Sequence, residues 1–159
     1  MSEEREKCTI VLMSGDMDYT FAAFIIATTA AAMGMETTMF FTFWGVKAIQ
    51  KGNRTGKGLF GRMLGFLNRG GIDRLGPSKF NFGGMGRWMF KTMMANQNVT
   101  SLPELLQTAI DLDVKLLACN MSMDVMEINK EDLIDQVTDV VGAATMIAEA
   151  KDSQIQLFI

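Results

Sequence analysis

A cysteine in the segment Cys119-Asn120-Met121-Ser122 has the sequence surroundings of a reactive thiol. It follows the apolar run 115–118, and residues that can begin a helix come directly after it. A helix N-terminus lowers the pKa of a thiol because free N–H groups and a partial positive charge stabilise the thiolate. The segment therefore indicates a nucleophilic cysteine. The alternative is a buried cysteine that serves as a small hydrophobic residue, a common role for this residue type.

The rest of the composition excludes most other catalytic chemistry. The chain has 159 residues and no histidine, so Ser-His-Asp triads, Cys-His dyads and histidine metal sites are impossible. Its two cysteines, Cys8 and Cys119, lack the spacing of a zinc or iron–sulfur site. The glycine and lysine pattern of a phosphate-binding loop is also missing from the sequence. We therefore predict no metal site and no cofactor.

The N-terminal sequence and the cysteine content predict a cytoplasmic protein. The first residues, MSEEREKC, are charged and contain no apolar signal-peptide core. The uncharged stretch 21–35 is shorter than the ~20 apolar residues that span a bilayer, so no transmembrane segment is expected. Two cysteines cannot form a disulfide framework, and reduced thiols are typical of the cytosol. The net charge of −3 does not by itself favour binding to nucleic acid, and we predict no nucleic-acid partner.

Alternating apolar and amphipathic segments predict one α/β domain over residues 1–159, with a doubly wound, mostly parallel five-stranded sheet. Continuous apolar runs predict buried strands at 8–13, 37–43, 115–118, 137–141 and 155–158. The segments between them predict helices at 19–33, 100–114, 120–126, 130–136 and 142–151.

Ligands of doubly wound sheets bind beyond the carboxyl ends of the strands. Cys119 lies at such an end, and the residues that follow the first two predicted strands reach the same edge. We therefore predict that Cys119 is the catalytic residue and that eight others surround it: Ser14, Gly15, Asp16, Trp44, Gly45, Asn120, Met121 and Ser122. Cys8 lies at the opposite, amino end of the first strand and is predicted to be structural.

Residues 47–99 form a predicted insert between the second strand and the following long helix. Its part 47–91 is basic and rich in glycine, with 10 of the 15 Lys and Arg residues, one of the 18 Asp and Glu residues and 11 of the 15 glycines. Short helices are predicted near 59–67 and 86–94. The interleaved aromatic residues are too apolar for a solvated loop, which favours a lid over the Cys119 edge or an oligomer contact. Its positive charge would attract anions.

The segment LLACNMSMDVMEINKEDLID resembles the signature of the DsrE/DsrF/DsrH-like group, in which a cysteine follows a strand and precedes methionines. The segments SGDMDYTFAAFIIATTAAAMGMETTMFFTFWGV and VVGAATMIAEAKDSQIQLFI are similar to the same group, so the resemblance covers nearly the whole chain. The insert is similar to that of the large-insert branch, and the TusB/TusC/TusD sulfur-relay proteins are relatives. The resemblance implies a flavodoxin-like fold, homo-oligomers and a persulfide on the signature cysteine, here Cys119. Glu127 stands where the signature usually has glycine.

The function that we predict is a sulfurtransferase or sulfur carrier that accepts and passes on persulfide sulfur through Cys119. Its partners would be sulfur donor and acceptor proteins or small persulfides. One alternative is a non-catalytic module of the same fold that binds a small ligand or a protein and keeps Cys119 buried. A weaker alternative is a thiol peroxidase or redox sensor, for which Cys8 is at the wrong edge to resolve a sulfenic acid.

Overall fold

A computed structural model describes residues 5–159, and their strands form one five-stranded sheet. The strands are β1 (Lys7–Leu12), β2 (Glu36–Phe41), β3 (Lys115–Cys119), β4 (Asp139–Val141) and β5 (Ile155–Phe158). They lie in the order β4-β3-β2-β1-β5, and each neighbouring pair is parallel. The prediction of a flavodoxin-like, doubly wound α/β fold is confirmed. Residues 1–4, on which the prediction of a charged N-terminus without a signal peptide partly rests, lie outside the described range.

Six α-helices connect or flank the strands in the described part of the chain. They are α1 (Met17–Ala32), α2 (Leu59–Leu67), α3 (Met85–Asn96), α4 (Leu102–Asp111), α5 (Asn120–Val125) and α6 (Ala143–Lys151). Short 3₁₀ segments occur at Phe43–Ile49, Ile72–Arg74, Phe82–Gly84 and Lys130–Asp132. None of the helices within residues 5–159 combines the length and the apolar character that a membrane crossing requires.

The prediction of a helix at 130–136 is wrong, because only the 3₁₀ turn Lys130–Asp132 forms there. The next residues are extended because they pair with the beginning of the insert. Leu133 forms an isolated antiparallel bridge with Gln50, and the Ile134 N–H donates to the Ile49 carbonyl over 2.9 Å. Tertiary pairing therefore overrides the local helical tendency of this polar segment.

The order of the strands distributes the helices unequally between the two faces of the sheet. From β1 to β4 the chain moves steadily towards one edge, and right-handed crossovers place α1 and α4 together on one face. From β4 the chain returns across the whole sheet to β5. The same handedness then places α6 alone on the opposite face.

Two hydrophobic clusters correspond to these two faces. The broad face is the side of the sheet that carries Ile10, Met39, Phe41 and Leu116, and it packs against α1 and α4 in the main core. The thin face is the side that carries a smaller buried cluster, which consists of Val11, Phe40, Leu117 and Cys119. Within residues 5–159, only Val141 and Met146 pack on this smaller cluster as partly buried hydrophobic residues. The cysteine of interest thus belongs to the less covered side of the sheet.

Candidate functional site

Cys119 lies where the chain direction changes at the carboxyl edge of the sheet. It is the last residue of β3 and the N-cap of α5, whose Met123 packs into the broad-face core. Its partner across the ladder, Val141 of β4, is followed by Gly142 and by α6 on the thin face. The chain thus leaves these two neighbouring strands towards opposite faces. Such a switch point opens a crevice, which is the usual ligand position in a doubly wound sheet.

Cys119 is buried, with 3% of its surface exposed. Burial raises the pKa of the Cys119 thiol, but hydrogen bonds from the Ser122 hydroxyl and N–H, the Thr42 hydroxyl and the Met121 N–H together lower that pKa below its usual value. The Thr42 and Ser122 hydroxyl oxygens lie 2.9 Å apart, and either can donate to the other. The hydroxyl that accepts this bond keeps its own proton free for the sulfur. The arrangement favours the thiolate, the nucleophilic form of cysteine.

Cys8 has the opposite environment. It lies near the amino end of β1, it is fully buried in the main core, and it pairs with Ile155 across the ladder to β5. Burial raises the pKa of the Cys8 thiol, with no hydrogen bond to offset it. These two pKa shifts have opposite directions, so Cys119 ionises more readily than Cys8. The position of Cys8 also gives it no access to the carboxyl edge of the sheet.

Three of the predicted surrounding residues lie directly beside Cys119. Asn120, Met121 and Ser122 begin α5, and the Met121 N–H donates to the Asn120 Oδ1 over 2.7 Å. The Asn120 side chain also lies near the end of β4, because a Cβ added to Gly142 would lie 3.9 Å from its Oδ1. A role for these residues in chemistry stays a prediction.

Four other predicted residues, Ser14, Gly15, Asp16 and Trp44, line a separate open cleft with a volume of about 890 Å³. Cys119 is not among the residues that line this cleft. The β1 and β2 ends meet closely there, since a Cβ on Gly15 would lie 2.7 Å from the Trp44 carbonyl oxygen. The structure therefore places these residues at the same edge of the sheet as Cys119 but in a different depression.

Gly45 packs against the backbone of the first strand. Its N–H donates to the Met13 carbonyl over 2.9 Å, and a Cβ at this position would lie 2.0 Å from the Leu12 carbonyl oxygen. Glycine is the residue that such a close approach requires. In this structure, then, Gly45 joins the ends of β1 and β2.

Thr42 is the residue near Cys119 that the sequence analysis missed. It directly follows β2, which ends at Phe41, whereas the predicted strand continued to Phe43. Because the predicted end was two residues late, the carboxyl-end rule selected Trp44 in place of Thr42. The available signal was a strand that ends at Phe41 and is followed directly by the hydroxyl residue Thr42.

Glu127 connects the basic insert to the segment that follows Cys119. Its backbone is left-handed, with a φ of 52°, which is the conformation that glycine favours. Its carboxylate accepts the Gly58 N–H at 2.8 Å and also the Lys57 N–H, just before α2 begins. These bonds from Lys57 and Gly58 lower the pKa of the Glu127 carboxyl. Glu127 thus adopts a left-handed turn conformation and anchors the insert.

The two helices of the insert present large hydrophobic side chains to solvent. Leu59 and Phe60 of α2 are 81% and 78% exposed, and Trp88 of α3 is 69% exposed. Arg54 stacks over the Phe66 ring, with 5.3 Å between the guanidinium carbon and the ring centre. Such an apolar surface with interspersed cations is typical of an interaction surface.

Comparisons with known proteins agree with this fold and extend over the whole chain. A family model described as the DsrE/DsrF/DrsH-like family matches residues 4–158. The chain is 42% identical over 161 residues to an uncharacterised protein, YrkE of Bacillus subtilis, with 100% of both chains covered. It is 33% identical over 160 residues to the sulfur carrier protein DsrE2 of Allochromatium vinosum, covering 98% of this chain and 99% of the relative.

A solved structure, that of the ychN protein from E. coli, has a similar fold. The TM-score is 0.58 at 12% sequence identity, and the similarity covers 96% of this chain and 99% of the other. At that identity the likeness concerns the fold alone. The family model and the two relatives concern the sequence itself, and they show that the chain belongs to the DsrE/DsrF/DrsH-like family.

Proposed function

We propose that this protein is a sulfur carrier that accepts and passes on sulfur as a persulfide of Cys119. The observation that carries the proposal is the position of the buried Cys119 thiol, which lies at the end of β3 at the switch point of the sheet. The donor groups of Ser122, Thr42 and Met121, which lower its pKa, support the proposal. The relative named as a sulfur carrier protein, which is 33% identical along nearly the full length, supports a role in sulfur relay.

The transfer consists of two displacements at sulfur and needs no external oxidant. The Cys119 thiolate attacks the outer sulfur of a donor persulfide, R–S–SH, and forms the new S–S bond of Cys119–S–SH. The bond between the two donor sulfurs breaks, and the donor leaves as a thiolate, R–S⁻. An acceptor thiolate then attacks the outer sulfur of Cys119–S–SH, which releases the Cys119 thiolate. One cysteine suffices, because both partner thiols belong to other molecules.

The same donors that stabilise the thiolate are suited to this cycle. In the first step they favour the attacking form of Cys119, and in the second step they stabilise Cys119 as the leaving group. The Ser122 hydroxyl is fully buried, so its hydrogen bond is not weakened by competition with water.

Access to the buried sulfur requires local movement, and α6 is the element best suited to provide it. Met146 of α6 packs on the small cluster that contains Cys119. None of the nine residues of α6, all of them described, is buried, and the helix begins at Gly142 beside β4. Elements with few buried contacts open at low free-energy cost. Displacement of α6 would expose the thin face and the Cys119 sulfur to a partner.

The partners in this proposal are sulfur donor and acceptor proteins or small persulfides in the cytoplasm. We also propose that the chain forms a homo-oligomer, in which the exposed hydrophobic side chains of α2 and α3 are covered. The basic insert, anchored by Glu127 beside the α5 segment, would attract anionic donors to this edge.

Intact-mass measurement after incubation with a persulfide donor tests the function. We expect an adduct of about +32 Da, the mass of one sulfur atom, that is lost on reduction and returns on a second loading. Cys119→Ser should abolish the adduct, and Cys8→Ser should retain it. An adduct that persists in Cys119→Ser, or its absence from the wild-type chain, would refute a carrier role for Cys119.

A second variant pair tests the role of the hydrogen bonds. Ser122→Ala removes a donor to the sulfur, so the pKa of Cys119 should rise and sulfur loading should slow at neutral pH. The difference should disappear at alkaline pH, where both thiols are ionised. Ser14→Ala is the matched control, because its hydroxyl lies in the separate cleft. Equal slowing in both variants would assign the effect to folding and not to the thiolate.

A further inference from the structure

A second cavity, the basic cavity, lies in the insert and not at Cys119. It has a volume of about 620 Å³ and is formed by the start of the insert, the 3₁₀ turn Ile72–Arg74, one side of α3 and the beginning of α4. The side chains and backbone that form its wall belong to Gln50, Lys51, Gly52, Gly71, Ile72, Asp73, Arg74, Arg87, Lys91, Pro103 and Ile134. Four of these residues are cationic and only one is acidic, so the cavity has a positive potential.

The cations of the basic cavity differ in how far they are already paired. Lys51 lies 2.8 Å from the Asp135 carboxylate, and Lys91 lies 2.5 Å from that of Asp73. Arg74 and Arg87 form no ion pair with any carboxylate in residues 5–159, although Arg87 donates to the Arg74 carbonyl.

The geometry favours binding by both arginines together. Arg87 and Lys91 are four residues apart on α3, so their side chains project from the same side of the helix. Arg74 stands on the facing 3₁₀ turn. Two guanidinium groups from different elements therefore border one cavity with unused donors, and arginine is well suited to bind planar or tetrahedral oxyanions.

The side-chain amide of Gln50, a residue that borders the cavity, is closed off from it. Gln50 is 3% exposed, and its Nε2 and Oε1 are fully buried and have no hydrogen-bond partner among the described residues. Its Oε1 lies close to Gly70, where an added Cβ would be 2.0 Å away. A ligand in the cavity therefore meets the cationic side chains and not this amide.

We propose that the basic cavity binds a small phosphomonoester, whose dianionic group is held by Arg74 and Arg87. The cavity is much larger than a single phosphate ion and falls in the size range of small-molecule sites, which leaves room for an organic part. The same two arginines also border the neighbouring cleft that contains Trp44, so a longer ligand has space to extend there. This proposal does not depend on sulfur transfer by Cys119.

Calorimetric titration of the full-length protein with glycerol 3-phosphate and, separately, with inorganic phosphate tests the proposal at constant ionic strength. We expect saturable binding of a dianion, tighter for glycerol 3-phosphate if the organic part contributes and equal for the two if a free oxyanion is the ligand. Either result supports the recognition of this chemistry. No saturable binding of either anion would overturn the proposal.

Matched charge variants locate the site. Arg74→Gln and Arg87→Gln should each weaken binding at least about tenfold, as expected for the loss of a charge-assisted hydrogen bond. Lys79→Gln removes the same charge from the insert but does not line the cavity, and it should leave the affinity within about twofold. An equal loss in all three variants would show only a general attraction of anions to the insert, and it would refute the site.

Discussion

The broad face of the sheet is covered by α1 and α4, whereas the thin face of the same strands is covered by α6. Residues that alternate along one strand therefore have different surroundings. Phe41 points into the broad-face core and contacts Phe24 of α1, with 6.1 Å between ring centres. Its neighbour Phe40 packs with Val11 and Leu117 under α6.

The thin face also carries polar residues and an exposed aromatic residue. Thr38 donates to Glu149 of α6 over 3.4 Å, and Lys115 lies 2.5 Å from Glu36. Phe158 of β5, next to Val11 in the sheet, remains 67% exposed. The broad face thus supplies most of the buried apolar area, while the thin face combines a small apolar cluster with ion pairs and the Cys119 thiol. Most of the buried core and the candidate thiol therefore lie on opposite sides of one sheet.

The largest expected effect is the loss of unfolding free energy when the adjacent residues Phe40 and Phe41 are truncated. Phe41→Ala should lower the free energy of unfolding by about 3–5 kcal/mol, because a large cavity forms in a well-covered core. Phe40→Ala should cost about 1–2 kcal/mol less, because α6 is held by few buried contacts and can move into the space. Urea unfolding of both variants measures the difference.

The comparison controls for residue type, strand and sequence neighbourhood. A cost for Phe40→Ala that equals or exceeds that of Phe41→Ala would mean that the thin face is as tightly packed as the broad face. It would also weaken the proposal that α6 moves to expose Cys119. The slope of unfolding against urea concentration should be similar in the two variants, as a check that both unfold from comparable states.

The prediction of intermediate size concerns the rate of hydrogen exchange in α6. Backbone amides of α6 should exchange at least about tenfold faster than those in the middle of α1, because local opening of α6 breaks fewer buried contacts. Glu149 of α6 accepts a hydrogen bond from Thr38, and its carboxylate lies 3.8 Å from the Lys115 Nζ. The variant Glu149→Gln weakens both of these links. It should accelerate exchange in α6 and alkylation of Cys119 about two- to fivefold, since exposed ion pairs contribute little free energy.

Cys8 is the internal control for the alkylation measurement. It belongs to the broad-face core, so its alkylation should follow global unfolding and should not respond to Glu149→Gln. Protection of α6 equal to that of α1 would argue against local opening. Acceleration of both cysteines together would point to a general loss of stability.

The sequence was sufficient to predict the elements that have strong local signals. Helix α4 begins at Ser101, whose hydroxyl accepts the Glu104 N–H while the Glu104 carboxylate accepts the Ser101 N–H, and this capping box was recognisable from residue types and spacing. Helix α2 spans Leu59–Leu67, the same residues as predicted. The position of Cys119 at the end of β3 also followed from the apolar run before it.

The sequence was insufficient where distant segments decide the outcome. Thr42 and Ser122 are 80 residues apart, and their shared hydrogen bond depends on β2 and β3 being neighbours. The turn at Lys130–Asp132 is set by pairing with the insert. The unpaired Gln50 amide has no signature in sequence, because Gln50 is buried by contacts with distant residues, among them Gly70 and Leu133.

The smallest expected effect is the pH dependence of stability of two single-cysteine variants, which retain one thiol on each face. In Cys8→Ser, the remaining Cys119 has a lowered pKa because hydrogen bonds outweigh its burial, so it loses its proton in the folded state before the unfolded chain does. The unfolded state then binds more protons, and stability rises with pH up to the ordinary thiol pKa near 8.5. In Cys119→Ser, the remaining Cys8 has a pKa raised by burial, so the unfolded chain loses its proton first and stability falls above that pH. Urea midpoints between about pH 7 and 9.5, referred to those of the double variant, should therefore diverge in opposite directions. Parallel curves would mean that the hydroxyls of Thr42 and Ser122 do not favour the thiolate, and that the two faces do not differ in the chemistry of their cysteines.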